Sequence, residues 1–65
     1  MKILDAIKLI RKAISPFKGF SADTYGLYHN LRYAFRKFGN RELTEESQKK
    51  IKLAISDLPR YFGAN

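Results

Sequence analysis

The most apolar stretch of the chain reads ILDAIKLIRKAI and covers residues 3–14. Its isoleucines recur mostly at intervals of three or four residues, which places them on one side of an α-helix. The charged side chains fall on the other side, with Arg11 nearer the edge of the apolar stripe. Because so wide a stripe is typical of a helix packed in a core, we expect a core helix over about residues 2–15. Pro16 ends it, since proline disfavours the α conformation at Ser15.

A second helix is predicted over about residues 22–38. Ser21 and Asp23 are candidates for its N-cap, because each offers a side-chain oxygen to free backbone N–H groups. Gly39 suits the position after its end, since glycine adopts a positive φ without a steric clash. Its predicted core side chains are Leu27, Leu31, Ala34, Phe35 and Phe38.

A third helix is predicted over about residues 45–57. Thr44 offers a hydroxyl cap, and Glu45 and Glu46 place negative charge at the positive end of the helix dipole. Pro59 is expected to prevent much continuation beyond that helix. Its apolar stripe consists of Ile51, Ala54, Ile55 and Leu58.

Several apolar residues lie outside the three stripes. Phe17 and Phe20, in the loop after the first helix, are expected to fold back onto the core. The chain end, with Tyr61 and Phe62, is expected to dock on the bundle. Leu53 lies well off the third stripe, and we expect it to contact either this tail or a second subunit.

The three helices describe one small domain over residues 1–65, an all-α three-helix bundle. No stretch alternates with the period of two that a strand requires, and there is no Cys for a disulfide or a thiolate metal site. A domain of about 60 residues buries only about 60% of its unfolded surface, so a homodimer stays open as a way to bury more. No segment resembles a secretory signal or a membrane span, and we therefore expect a cytoplasmic protein.

The positive charge is unevenly distributed along the chain. The whole chain has a formal net charge of +7 at pH 7. Residues 1–41 hold nine Lys and Arg against two Asp, a balance of +7, whereas residues 42–65 hold four positive and four negative side chains. All of the excess therefore lies on the first two helices and their loops, which indicates a surface directed at an anionic partner.

One face of the second helix, which points away from the predicted core side chains, carries the most specific pattern. Guanidinium groups match phosphates and the guanine edge because their donors form a planar fork. Tyr rings stack on unpaired bases or donate a hydrogen bond to phosphate. The candidate nucleic-acid-binding residues are Tyr25, His29, Arg32, Tyr33, Arg36, Lys37 and Arg41, with Lys18 added from the preceding loop.

The same pattern has a plainer interpretation, the solvated face of an amphipathic helix. Under it, Tyr25, Tyr28 and Tyr33 are partly buried with their hydroxyl groups at the surface. His29 is the only histidine. Since one imidazole without neighbouring ligands is a poor metal site, we expect His29 to be a surface or packing residue.

An ordinary helix-turn-helix is not predicted. The connection at residues 39–44 is longer than the turn of about 3–4 residues in that motif. The N-terminal end of the second helix of the motif meets the bases, and here that end carries Glu45 and Glu46, which would repel phosphates. If DNA is bound, the second or the first helix is the better candidate to contact it.

We therefore predict a non-enzymatic nucleic-acid-binding protein, a small regulator or accessory factor, with DNA favoured over RNA. Gly-rich phosphate loops and zinc-protease motifs are absent, so no catalytic residue, cofactor, metal ion or small-molecule substrate is expected. One alternative is a protein-binding module that inhibits or adapts an acidic partner, anchored by Leu53, Tyr61 or Phe62. A third hypothesis is a cationic helical protein acting at a membrane surface through the first helix, which is disfavoured because core packing explains the apolar stripe.

Overall fold

In the computed structural model, which describes residues 1–63, α1 spans Ile3–Ile14 and α2 spans Ala22–Phe38. Helix α3 spans Glu45–Ser56, and a helix of one turn, α4, spans Leu58–Tyr61. The last two residues of the predicted domain lie outside the described part. Helix α1 packs against α2 and α3, and α2 packs against α3, so the predicted small all-α bundle is confirmed.

The core lies where the three long helices meet. Helix α1 supplies most of it, and Ile10 and Ala6 have no exposed surface at all. The centre of the apolar stripe of α1 is thus buried in the core, as predicted, whereas Leu9 at its flank is 36% exposed. The buried cluster consists of Ile3, Ala6, Ile7 and Ile10 of α1, Leu31 of α2 and Ile51 of α3.

Side-chain caps fix where α2 and α3 begin. The Ser21 hydroxyl accepts a hydrogen bond from the Thr24 backbone N–H (3.1 Å), and the Thr24 hydroxyl accepts one from the Ser21 N–H (2.9 Å). This reciprocal pair satisfies two free donors, so Ser21 rather than Asp23 is the cap. Thr44 caps α3 by accepting from the Ser47 N–H at 3.1 Å, as predicted.

The N-terminus of α1 has no side-chain cap of its own and is held instead by backbone contacts with the loop between α2 and α3. The Ile3 N–H donates to the Arg41 carbonyl (2.9 Å), and the Leu43 N–H donates to the Met1 carbonyl (2.8 Å). The Met1 amino group pairs with the Glu42 carboxylate and holds the pKa of that carboxyl below its usual value. These contacts fix the backbone at Arg41 relative to α1.

Two residues that the sequence predicts in the core of α2 are exposed. Phe38 is 53% exposed and Phe35 is 36% exposed. Helix α2 has 17 residues against 12 in α1, so its last turn extends beyond the core. Helix α3 stops at Ser56, which agrees with the expected end before Pro59. Pro59 itself lies in the first turn of the separate helix α4, where its missing N–H needs no partner.

The aromatic residues outside the stripes divide between the core and the chain end. Phe20 packs against the core cluster, as predicted. Phe17 instead stacks on Phe62, with ring centroids 5.2 Å apart and planes at 10°. The chain end therefore contacts the segment after α1 through Phe62, whereas Tyr61 remains largely exposed. Leu53 is also largely exposed on α3.

Candidate nucleic-acid interface

Two rows of side chains run along the exposed side of α2, and successive members of each row are four residues apart. Four residues of α-helix rise about 6 Å, so the members of a row follow one another along the helix axis. We call the row nearer α1 the inner row and the other the outer row. The outer row consists of Tyr25, His29 and Tyr33, and the inner row of Tyr28, Arg32 and Arg36.

The outer row presents its aromatic rings to solvent. Tyr25 is 59% exposed and Tyr33 is 61% exposed. The expectation that these two tyrosines are partly buried is therefore wrong, because both lie on the side of α2 that neither α1 nor α3 covers. The Tyr25 ring lies nearly parallel to the His29 ring, with centroids 6.5 Å apart, and meets the edge of Phe20 at 5.7 Å. His29 is exposed, as predicted.

The inner row combines a half-buried ring with two guanidinium groups. Tyr28 packs against the core cluster, which agrees with the expectation for this tyrosine. The Arg32 guanidinium carbon lies 5.8 Å from the centre of the Tyr28 ring, a distance at which the ring quadrupole attracts the cation. Tyr28 therefore ties Arg32 to the bundle while leaving its charge at the surface.

Three adjoining concavities meet at Tyr28 and Arg32. The first is bounded by Arg36 and the outer row. The second extends to Lys18 and Phe20, and the third lies between α1 and α2, where apolar side chains including Phe35 line it. We call the continuous surface the basic groove, defined by Arg11, Lys18, Tyr28, Arg32 and Arg36.

Arg11 and Tyr28 belong to this groove but were not among the predicted site residues. Arg11 reaches it from α1 and lines two of the three concavities. The only signal in the sequence was the position of Arg11 at the edge of the apolar stripe of α1. That position becomes informative once it is known which side of α1 packs against α2.

Lys37 and Arg41 lie beyond the groove, around the exposed ring of Phe38. The Lys37 ammonium group is 5.4 Å from the Phe38 ring centre, and the Arg41 guanidinium is 5.5 Å from it. Lys37 also lies 5.8 Å from the centre of the Tyr33 ring, which connects this Phe38 cluster to the outer row. Six predicted site residues thus line the joined concavities, and the other two form this separate cluster.

No cation of the basic groove is paired with a carboxylate in the part of the chain that the structure describes. The two ion pairs within residues 1–63 join Met1 to Glu42 and Lys50 to Glu46, and all four residues lie outside the groove. The concavities that α3 lines hold both signs of charge, for instance Lys50 beside Asp57. The basic groove, in contrast, brings together four cations, and no carboxylate of residues 1–63 lines it.

Comparison with known proteins adds no relative: no family model matches the chain, and neither the curated proteins nor the solved structures include a similar one. Over residues 1–63, every helix is too short or too polar to cross a bilayer. Within the same part of the chain, no three His, Cys, Asp or Glu side chains are grouped so that they could hold a metal ion. The chemistry of the basic groove and the outer row is thus the information on which a function can be proposed.

Proposed function

We propose that this is a non-enzymatic nucleic-acid-binding protein that contacts phosphates through the basic groove. The observation that carries the proposal is the convergence of cations from three segments around one ring. Arg11 comes from α1, Lys18 from the following loop and Arg32 from α2, and none has a carboxylate partner within residues 1–63. Such a cluster of like charges is unfavourable by itself and is relieved by a polyanion.

The geometry suits phosphates in particular. Guanidinium groups bind phosphate oxygens through two parallel hydrogen bonds, which gives direction as well as charge. Arg32 and Arg36 are one turn apart on α2, so each can contact a different phosphate of the same strand. The Tyr28 ring restricts the Arg32 side chain before binding, so Arg32 loses less conformational entropy when it contacts a phosphate.

Binding measured at several salt concentrations tests the proposal. Each phosphate contact contributes about 0.7–0.9 to the slope of log affinity against log salt. We expect affinity for labelled DNA to fall steeply between about 50 and about 200 mM salt. The double variant R32A/R36A should weaken binding about tenfold or more and lower the slope by about 1.4–1.8. Fluorescence anisotropy gives both quantities.

The matched control is K49A/K52A, which removes the same net charge from α3. Both lysines are exposed and line a concavity outside the basic groove. Equal losses in the two double variants would contradict a localised site, as would the absence of binding to any nucleic acid at low salt. Polyglutamate serves as a competitor of similar charge, and if it displaced the nucleic acid at equal charge concentration, an acidic protein would become the better partner.

A further inference from the structure

We infer that the ligand is a single strand whose unpaired bases stack on the outer row while its phosphates lie on the inner row. This inference rests on the proposed function and adds the conformation of the nucleic acid. It follows from the side-by-side placement of Tyr25, His29 and Tyr33 with Arg32 and Arg36 on one helix.

The faces of the exposed rings cannot stack on the bases of an intact duplex. In a duplex the bases are stacked at about 3.4 Å per step, and only their edges are accessible in the grooves. The side chains of the outer row succeed one another at about 6 Å along α2, nearly twice that step. A single strand can separate its bases to this spacing, so that each ring takes the face of one base.

The two rows are spaced alike, which matches the covalent repeat of a strand. Each nucleotide carries one base and one phosphate. Arg32 and Arg36 are four residues apart, as are His29 and Tyr33, so a guanidinium and a ring repeat together every turn. A strand lying along α2 can therefore satisfy both rows at once.

The shape of the basic groove points to the same ligand. A duplex accepts a protruding helix in its major groove, which is about 12 Å wide. Here the cations instead line concavities, one of them between α1 and α2, and packed helices have axes only about 8–10 Å apart. A single strand that lies along this depression can contact Arg11, Arg32 and Arg36 together.

Contacts with neighbouring side chains restrict two rings of the outer row before binding. Phe20 meets Tyr25 edge to face, and Lys37 lies over the Tyr33 ring at 5.8 Å. Restricted rings lose less entropy when a base stacks on them. Base stacking on such rings is tolerant of sequence, so we expect little base preference.

The experiment compares labelled oligothymidylate, oligouridylate and a duplex of equal charge, using the intact protein. We expect both single strands to bind at least about tenfold more tightly than the duplex. The tighter of the two single strands identifies DNA or RNA as the source of the ligand. Because the chain has four Tyr and no Trp, stacking should also quench the tyrosine emission.

Three variants isolate the contribution of the rings. Y25A/Y33A should weaken single-strand binding about 20-fold or more, at nearly unchanged salt slope, because it removes stacking and leaves the cations. Y25F/Y33F keeps the rings and should bind like the parent protein. Y61A is the matched control, since Tyr61 is 57% exposed but lies on α4. Far-UV circular dichroism confirms that each variant is folded.

The possible failures are distinguishable. If the duplex binds as tightly as the single strands, or if Y25A/Y33A binds like Y61A while R32A/R36A is weakened, the single-strand inference is overturned and the proposed function stands. Loss of binding in Y25F/Y33F also overturns it, because the hydroxyl groups would then be the contacts. If no nucleic acid binds, both proposals fail together.

Discussion

Lys18 occupies the left-handed region of backbone conformation, with φ at 57° and ψ at 33°. Among residues 1–63 it is the one non-glycine residue with a positive φ. A side chain with a Cβ pays about 1–2 kcal/mol for this conformation, and glycine does not. Since Lys18 also lines the basic groove beside Arg11 and Arg32, the strain coincides with the site that we propose for phosphate.

Replacing Lys18 by glycine should therefore have opposite effects on stability and on binding. We expect K18G to raise the free energy of unfolding by about 1 kcal/mol, measured by urea denaturation. The same variant should weaken nucleic-acid binding and lower the salt slope by just under one. A K18G variant that is less stable than the parent protein would contradict the claim that the left-handed backbone conformation strains Lys18.

Helix α2 carries both rows of the interface, and its two ends are set by local contacts. The reciprocal hydrogen bonds of Ser21 and Thr24 begin it, and Gly39 ends it with φ at 82° and ψ at −164°. This part of backbone space is essentially restricted to glycine. Gly26, in contrast, lies inside the helix, and a Cβ added there would meet no atom within 4 Å.

Alanine substitutions at these two glycines should act in opposite directions. G26A is expected to stabilise the protein by about 0.8–1 kcal/mol, or about 4–8 °C in Tm, because alanine loses less backbone entropy in a helix. G39A should destabilise it by about 1–3 kcal/mol through backbone strain. Thermal denaturation followed by circular dichroism measures both. A lower Tm for G26A would show that this position requires glycine for a reason beyond helix propensity.

The excess positive charge lies within residues 1–41, and in the described residues no cation of the basic groove is paired with a carboxylate. Repulsion among the groove cations destabilises the free protein, and salt screens it. We expect added sodium chloride to raise Tm by about 2–4 °C while it weakens nucleic-acid binding. Differential scanning calorimetry over a range of salt concentrations provides the test.

A pair of single variants shows whether the basic groove is the source of this salt effect. R36Q removes one groove charge and should reduce the salt-dependent gain in Tm, whereas K52Q removes a charge from α3 and should leave it nearly unchanged. A Tm that does not rise with salt, or an equal response in the two variants, contradicts the assignment of the repulsion to the groove.

Expectations failed where packing between distant segments overrides a local pattern. Phe38 continues the spacing of the apolar stripe of α2, but the core ends before it. Phe17 contacts Phe62, which lies near the other end of the chain, and the residues around Phe17 do not predict this contact.

The three long helices, their caps and the polar face of α2 follow from the amino-acid sequence, because each depends on residues within about four positions of one another. The bounds predicted for α2 agree with the structure, whereas those of α1 differ by one residue at each end and those of α3 by one residue at its C-terminal end. The basic groove itself required the packed bundle. Arg11 and Arg32 are far apart along the chain, and they meet because the core side chains of α1 bury one edge of that helix against α2.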